Sequence, residues 1–295
     1  MTRQSFVTNE VLRKIKQIEI HTRRLLRGSQ MGDSRSALKG TGFEFDQIRE
    51  YQQGDDIRFI DWNASARMDT LLIKQFIEER SRVVMLAVDI SGSGYVGSTD
   101  TLKHDIMAQV ASVISVVTGF GKDRVGLILF SDDVEFYLPP GRGKRHIHTI
   151  MEYVFGYKAR SKKTSITSAL KKIAQLKRRD SITFIISDFI DDAIDSSYLS
   201  IVSKRCDLVA IRCLDEREYD LPPVGFLPIA DSETGETVLI DLRKSHQPRM
   251  YDFLTARLLE QDKLFKKYGI RVLDVANNSS YIGDVIRFFR RHMRY

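Results

Sequence analysis

The chain has 295 residues, 42% of them hydrophobic and 29% charged, and a formal net charge of +7. That length buries a full α/β core plus an N-terminal appendage, and that composition is ordinary for a globular chain rather than a disordered or fibrous one. The longest apolar helix candidate, 106–120, is too short for a membrane span and carries Gln109 and two serines; no apolar signal segment opens the chain, so a cytoplasmic location is expected, with peripheral membrane contact left open.

In chain order, residues 1–40 hold nine Lys/Arg against three Asp/Glu, and apolar residues at 11, 12, 15, 18, 25 and 26 follow helical spacing. This segment is expected to be a basic helical arm, better suited to docking a partner than to nucleic acid, because no nucleic-acid-binding motif accompanies the charge. Residues 41–80 form a second segment, expected to be irregular. Within 44–67, Glu44, Asp46, Glu50, Asp55, Asp56 and Asp61 alternate with Arg49, Arg58 and Arg67. The alternation predicts an internal network of ion pairs and caps, anchored by burial of Trp62, the single tryptophan. Paired carboxylates could also serve acid/base hydrolysis, although no nucleophile–base constellation accompanies them.

From residue 81 to 295 strands and helices alternate. The run 83–89 is apolar and ends in Asp89; a helix follows to Phe120, then a strand at 124–130 that pairs with 134–138 as a hairpin. Helices near 144–155 and 165–177 precede a strand at 182–187, a helix at 196–204 and a strand at 207–212. Pro222-Pro223 breaks the rhythm, and Asp231-Ser232-Glu233-Thr234-Gly235 has hairpin-turn chemistry. A helix at 248–268, a strand at 270–275 and a basic helix at 281–292 close the chain. This pattern predicts a mainly parallel, doubly wound sheet with helices on both faces.

Asp89-Ile90-Ser91-Gly92-Ser93 places a carboxylate and two hydroxyls just beyond a buried strand, where open α/β sheets bind ligands. Thr164 opens a later helix, and a second apolar strand ends at Ser187-Asp188. All are oxygen donors, which suit a hard cation rather than zinc or copper. Capping and turn roles are the competing reading, since Asp and Ser are ordinary in both. Other candidates are weaker. Gly141-Arg142-Gly143-Lys144 lacks P-loop spacing and reads as a glycine-rich turn. His146 and His148, two residues apart, fall on opposite sides of a helix. Cys206 and Cys213, the only cysteines, are expected to stay reduced.

Asp89, Ser91, Ser93, Thr164 and Asp188, in that order and on those elements, resemble the metal-ion-dependent adhesion site of von Willebrand factor type A domains. The stretch from Glu44 to Arg67, with Arg49-Glu50-Tyr51-Gln52-Gln53-Gly54-Asp55 and Ile60-Asp61-Trp62, resembles the bacterial family called domain of unknown function 58, which joins such a segment to a type A domain. The resemblance implies a Mg²⁺ site, with Mn²⁺ or Ca²⁺ as alternatives, in which Ser91, Ser93 and Thr164 contact the ion directly and Asp89 and Asp188 act through water. It further implies a non-enzymatic adaptor working with a MoxR-type AAA+ ATPase on a client protein. Metal-dependent hydrolysis and nucleic-acid binding through the basic ends are the alternatives. Lys162 and Lys163 before Thr164, and Ser165 after it, depart from the family pattern. Client, pathway and oligomeric state are not legible in the residues.

Overall fold

The computed structural model describes residues 8–30, 43–78, 82–95, 102–121, 123–176, 181–191, 194–215, 225–230, 237–243, 247–276 and 281–293. It divides into a main unit, Met1–Gln30 with Arg82–Tyr295, and a small unit, Met31–Ser81.

The main unit is built on strands β3 (Val83–Asp89), β4 (Arg124–Phe130), β5 (Val134–Gly141), β6 (Ser181–Ser187), β7 (Asp207–Leu214) and β10 (Arg271–Ala276). Their order across the sheet is β10-β7-β6-β3-β4-β5. Every pairing is parallel except the β4–β5 hairpin at one edge. This is the expected von Willebrand type A arrangement. All seven residues of β3 are buried, because both faces are covered. Val84, Leu86 and Val88 enter one core, while Val83, Met85 and Ala87 enter the other.

Helices α3 (Lys103–Phe120), α4 (Lys144–Gly156) and α8 (Tyr281–Met293) cover the first face; α5 (Ile166–Gln175), α6 (Ser196–Ser203) and α7 (Gln247–Lys267) belong to the second. Helix α3 is buried nearly all round because α4, α8 and the N-terminal helix all pack on it. Its Ser112 and Ser115 hydroxyls donate to the carbonyls of Ala108 and Ala111, which satisfies them inside an apolar layer. That N-terminal helix, α1 (Asn9–Gln30), is integrated into the main unit rather than projecting from it. Ile15, Ile18, Thr22 and Leu26 form its buried stripe. Lys14 pairs with Asp105 of α3 at 3.0 Å, and Glu19 faces His148 of α4 at 3.3 Å. The apolar face of this helix is therefore covered by α3 and α4. Strands β8 (Gly225–Ala230) and β9 (Thr237–Leu242) pair antiparallel as a separate ribbon. Pro222-Pro223 and the 231–235 turn lie outside the described residues.

The small unit is more regular than its sequence suggests. Strands β1 (Phe43–Glu50) and β2 (Leu72–Glu78) pair antiparallel with a bulge near Phe45, and a 3₁₀ turn (Ile57–Phe59) and α2 (Trp62–Met68) lie between them. The ion-pair and capping network is present. Arg49 grips Asp55 through two hydrogen bonds of 2.7 Å, and Asp56 caps the 3₁₀ turn while pairing with Arg58. Asp61 caps α2 through the backbone N–H groups of Asn63 and Ala64 and meets Lys74 at 3.0 Å. Burial of Trp62 is corrected: the indole is 66% exposed. A seven-residue helix with no buried residue beside a two-stranded sheet offers no interior to enclose an indole.

Candidate functional site

The sheet reverses its winding at β3: β4 and β5 lie to one side, β6, β7 and β10 to the other. The crevice at such a switch point opens beyond the carboxyl ends of the strands. Asp89 is the last residue of β3, and Asp188 directly follows β6. Both are buried. Asp89 Oδ1 accepts the Ser91 backbone N–H at 2.9 Å, and its Oδ2 accepts the Ser187 hydroxyl at 2.7 Å. This Asx-type turn folds the chain back so that the Ser91 and Ser93 hydroxyl oxygens come within 3.1 Å of each other. Burial, and then the charge of Asp188, pushes the Asp89 carboxyl up to about 7.

Thr164 arrives on the loop before α5, which is stitched to the strand ends at two points. The Gly92 N–H donates to the Lys162 carbonyl at 2.8 Å, and the Ser165 N–H donates to the Ser131 carbonyl at 2.8 Å. The Thr164 hydroxyl oxygen is buried and has no hydrogen-bond partner among the described residues. Leaving a buried polar group unsatisfied costs about 1–3 kcal/mol; Thr22, Thr118 and Thr183 carry hydroxyls in the same condition elsewhere in the chain. Lys162 and Lys163 are both exposed, which leaves their charges solvated.

Lys103, the first residue of α3, has no counterpart in the expected set. Its ammonium donates to Asp188 Oδ2 at 2.9 Å, with side-chain exposures of 2% and 1% for the pair. Asp188 Oδ1 accepts the Ile190 N–H at 3.1 Å. Sequence reasoning passed over Lys103, although one signal was available: a lysine in the first turn of a helix faces the positive end of the dipole and needs a compensating anion. Two more supports were silent in the sequence. Phe189 adopts a left-handed backbone (φ 56°) while its ring is buried edge-on against Phe265. Gln261 of α7 donates to the Phe189 carbonyl at 2.8 Å and itself accepts from Arg212, whose guanidinium also binds Asp274 and Asp262. The turn after Asp188 is thus held from α7.

These atoms fit a hard cation in part. Ser91, Ser93 and Asp89 are oxygen donors at one strand end, Thr164 lies on a loop hydrogen-bonded to the strand ends through Lys162 and Ser165, and Asp188 already has a cation in Lys103. Among the described residues no three His, Cys, Asp or Glu side chains gather as a metal-holding group. An ion here would rely on hydroxyls.

The remaining candidates have structural roles. His146 Nε2 lies 2.7 Å from the Val125 carbonyl, whereas His148 faces Glu19, so the two do not converge. Gly143 starts α4 with φ +90°, a turn position favouring glycine. Cys206 and Cys213 are free, buried thiols in different cores, and burial raises the pKa of each. In the 44–67 segment, hydrogen bonds from Arg49, Arg58 and Lys74 hold Asp55, Asp56 and Asp61 below the usual carboxylate range, the direction opposite to that of a general acid.

Strand order, the antiparallel edge hairpin and the loop cluster at the switch point define an α/β domain of the von Willebrand type A class. The chain belongs to the family described as protein of unknown function DUF58, whose profile matches residues 47–259. It is 24% identical over 282 residues to the uncharacterized proteins Mb1516 of Mycobacterium bovis and Rv1480 of Mycobacterium tuberculosis, spanning 95% of this chain and 89% of theirs. Among solved structures, the conserved hypothetical protein BatB of Bacteroides thetaiotaomicron overlaps 73% of this chain and 100% of its own, with a TM-score of 0.48 and 14% identity. Among the described residues no helix is long and apolar enough to cross a membrane.

Proposed function

We propose that the protein is a non-enzymatic interaction module that binds an acidic group of a partner through a divalent cation at the β3–β6 edge. The cation is Mg²⁺, with Mn²⁺ or Ca²⁺ as substitutes, and Ser91, Ser93 and Thr164 would hold it with support from Asp89 and Asp188. When bound, it supplies a concentrated positive charge that accepts a carboxylate oxygen from outside. The chain's own residues do the positioning. Asp89 shapes the serine loop, the Gly92–Lys162 hydrogen bond docks the Thr164 loop beside it, and Ser187 orients Asp89.

The observation that carries this reading is the Thr164 hydroxyl, buried without a partner among the described residues, on a loop tied to the serine loop. The partner is a MoxR-type AAA+ ATPase in the cytoplasm, acting with this protein on the assembly or maturation of a client. Among the described residues the site offers no histidine, cysteine or third carboxylate beside Asp89 and Asp188, which supports a reading of binding.

The test is capture of the partner from a lysate of the native host, identified by mass spectrometry. Three arms are run: Mg²⁺, chelator, and Asp89→Ala with Mg²⁺. Retention of an AAA+ ATPase in the first arm alone supports the reading. Equal retention in all three removes the cation from it, and no ATPase in any arm removes the partner.

A further inference from the structure

Lys103 changes the charge arithmetic of the site. With both carboxylates ionised, as binding of a cation would require, Asp89 and Asp188 contribute −2 and the Lys103 ammonium +1, leaving −1 among these three buried side chains of the described residues. A divalent ion would raise that to +1. A carboxylate from outside would bring it to zero. Without Lys103 the two carboxylates alone would balance the ion, and the loaded site would be neutral before any partner arrived. An uncompensated charge is strongly disfavoured where water is excluded.

Asp188 is also already engaged on both oxygens, by Lys103 and by the Ile190 N–H, and Asp89 by the Ser91 N–H and the Ser187 hydroxyl. The carboxylates are satisfied at rest; the unmet donor is Thr164. We infer that Lys103 is a resident counter-cation that makes retention of a divalent ion conditional on an acidic ligand, so that ion and partner bind together rather than in sequence. This rests on the cation reading of the site. It assigns to one lysine the role of keeping the site from holding metal tightly on its own.

The test is titration of Mn²⁺ into the full chain by calorimetry, with and without acetate as the acidic probe, for wild type, Lys103→Met and Lys103→Arg. Removing one unit charge from beside a shared carboxylate is expected to tighten Mn²⁺ binding by about tenfold or more in Lys103→Met. Lys103→Arg should match wild type. Acetate should tighten Mn²⁺ binding by wild type more than by Lys103→Met. Adding Thr164→Val to Lys103→Met should abolish the gain; a gain that survives places the ion elsewhere and overturns the inference. Circular dichroism checks the fold, and Lys103→Gln, a neutral donor, replaces Lys103→Met if that variant does not fold. Equal affinity in wild type and the neutral variant overturns the role of Lys103 but leaves the cation reading standing. Absence of Mn²⁺ binding in both overturns the two together.

Discussion

The Lys103–Asp188 pair gives the most quantitative prediction. Both side chains are essentially inaccessible and 2.9 Å apart, 85 positions apart in sequence. Removing one partner of a buried pair costs about 3–5 kcal/mol, because the remaining charge keeps its desolvation cost and loses its opposite charge. In a unit of this size about 1 kcal/mol corresponds to roughly 2–4 °C of midpoint. Asp188→Asn should therefore lower the thermal midpoint by roughly 6–20 °C, even though the amide oxygen can still accept the Ile190 N–H. Replacing both ends, as Lys103→Met with Asp188→Asn, removes both charges and should recover most of that loss. The assay is a double-mutant cycle by urea denaturation in chelator, so that no cation contributes. The exposed Arg58–Asp56 pair serves as a reference expected to show a much smaller coupling than the buried pair. Additive losses at Lys103 and Asp188, agreeing within about 0.5 kcal/mol, would refute the reasoning.

Phe189 sets two effects against each other. Phe189→Gly relieves a left-handed residue by about 1 kcal/mol, but loss of a buried aromatic costs about 3–5 kcal/mol, so denaturation should show a net loss, with Phe189→Ala worse than Phe189→Gly. Ellman's reagent should find Cys206 and Cys213 unreactive in the native protein and both reactive after unfolding, since both thiols are buried; rapid native reaction at either would contradict the packing of the core that holds it. Asp56 titrates near 2 and Asp55 and Asp61 lie below their ordinary values, so their contribution is complete above about pH 4, their unfolded range, and is lost as pH falls toward 2. Trp62 is the sole tryptophan and follows the small unit directly. Its native emission should resemble that of a solvated indole, and Asp56→Asn should flatten the acid limb. An acid limb unchanged by that substitution would detach the ion pairs from stability.

Much of the fold was readable locally. Short, largely apolar runs bounded by turn residues marked β3 and β6, and the spacing of strands and helices was enough to argue a parallel sheet. Trp62 was misread because a large aromatic ring is usually buried, and nothing in its neighbours says that α2 has no layer to sink into. Helix α1 was misread as an arm for a related reason. Its stripe of Ile15, Ile18 and Leu26 says that something covers it, not that α3 of the same chain does so.

The sequence by itself determined which residues of the main sheet are strands, which strand ends carry carboxylates, and that hydroxyls follow Asp89 at alternate positions. These are properties of short segments, where side-chain period and turn chemistry act directly on the backbone. Only the tertiary structure decided that Lys103 reaches Asp188, that Gln261 of α7 holds the Phe189 carbonyl, and that the Thr164 hydroxyl is left unmet. Each of these depends on where a helix or loop end lands on the sheet. That placement is set by packing summed over both cores, and no local pattern encodes it.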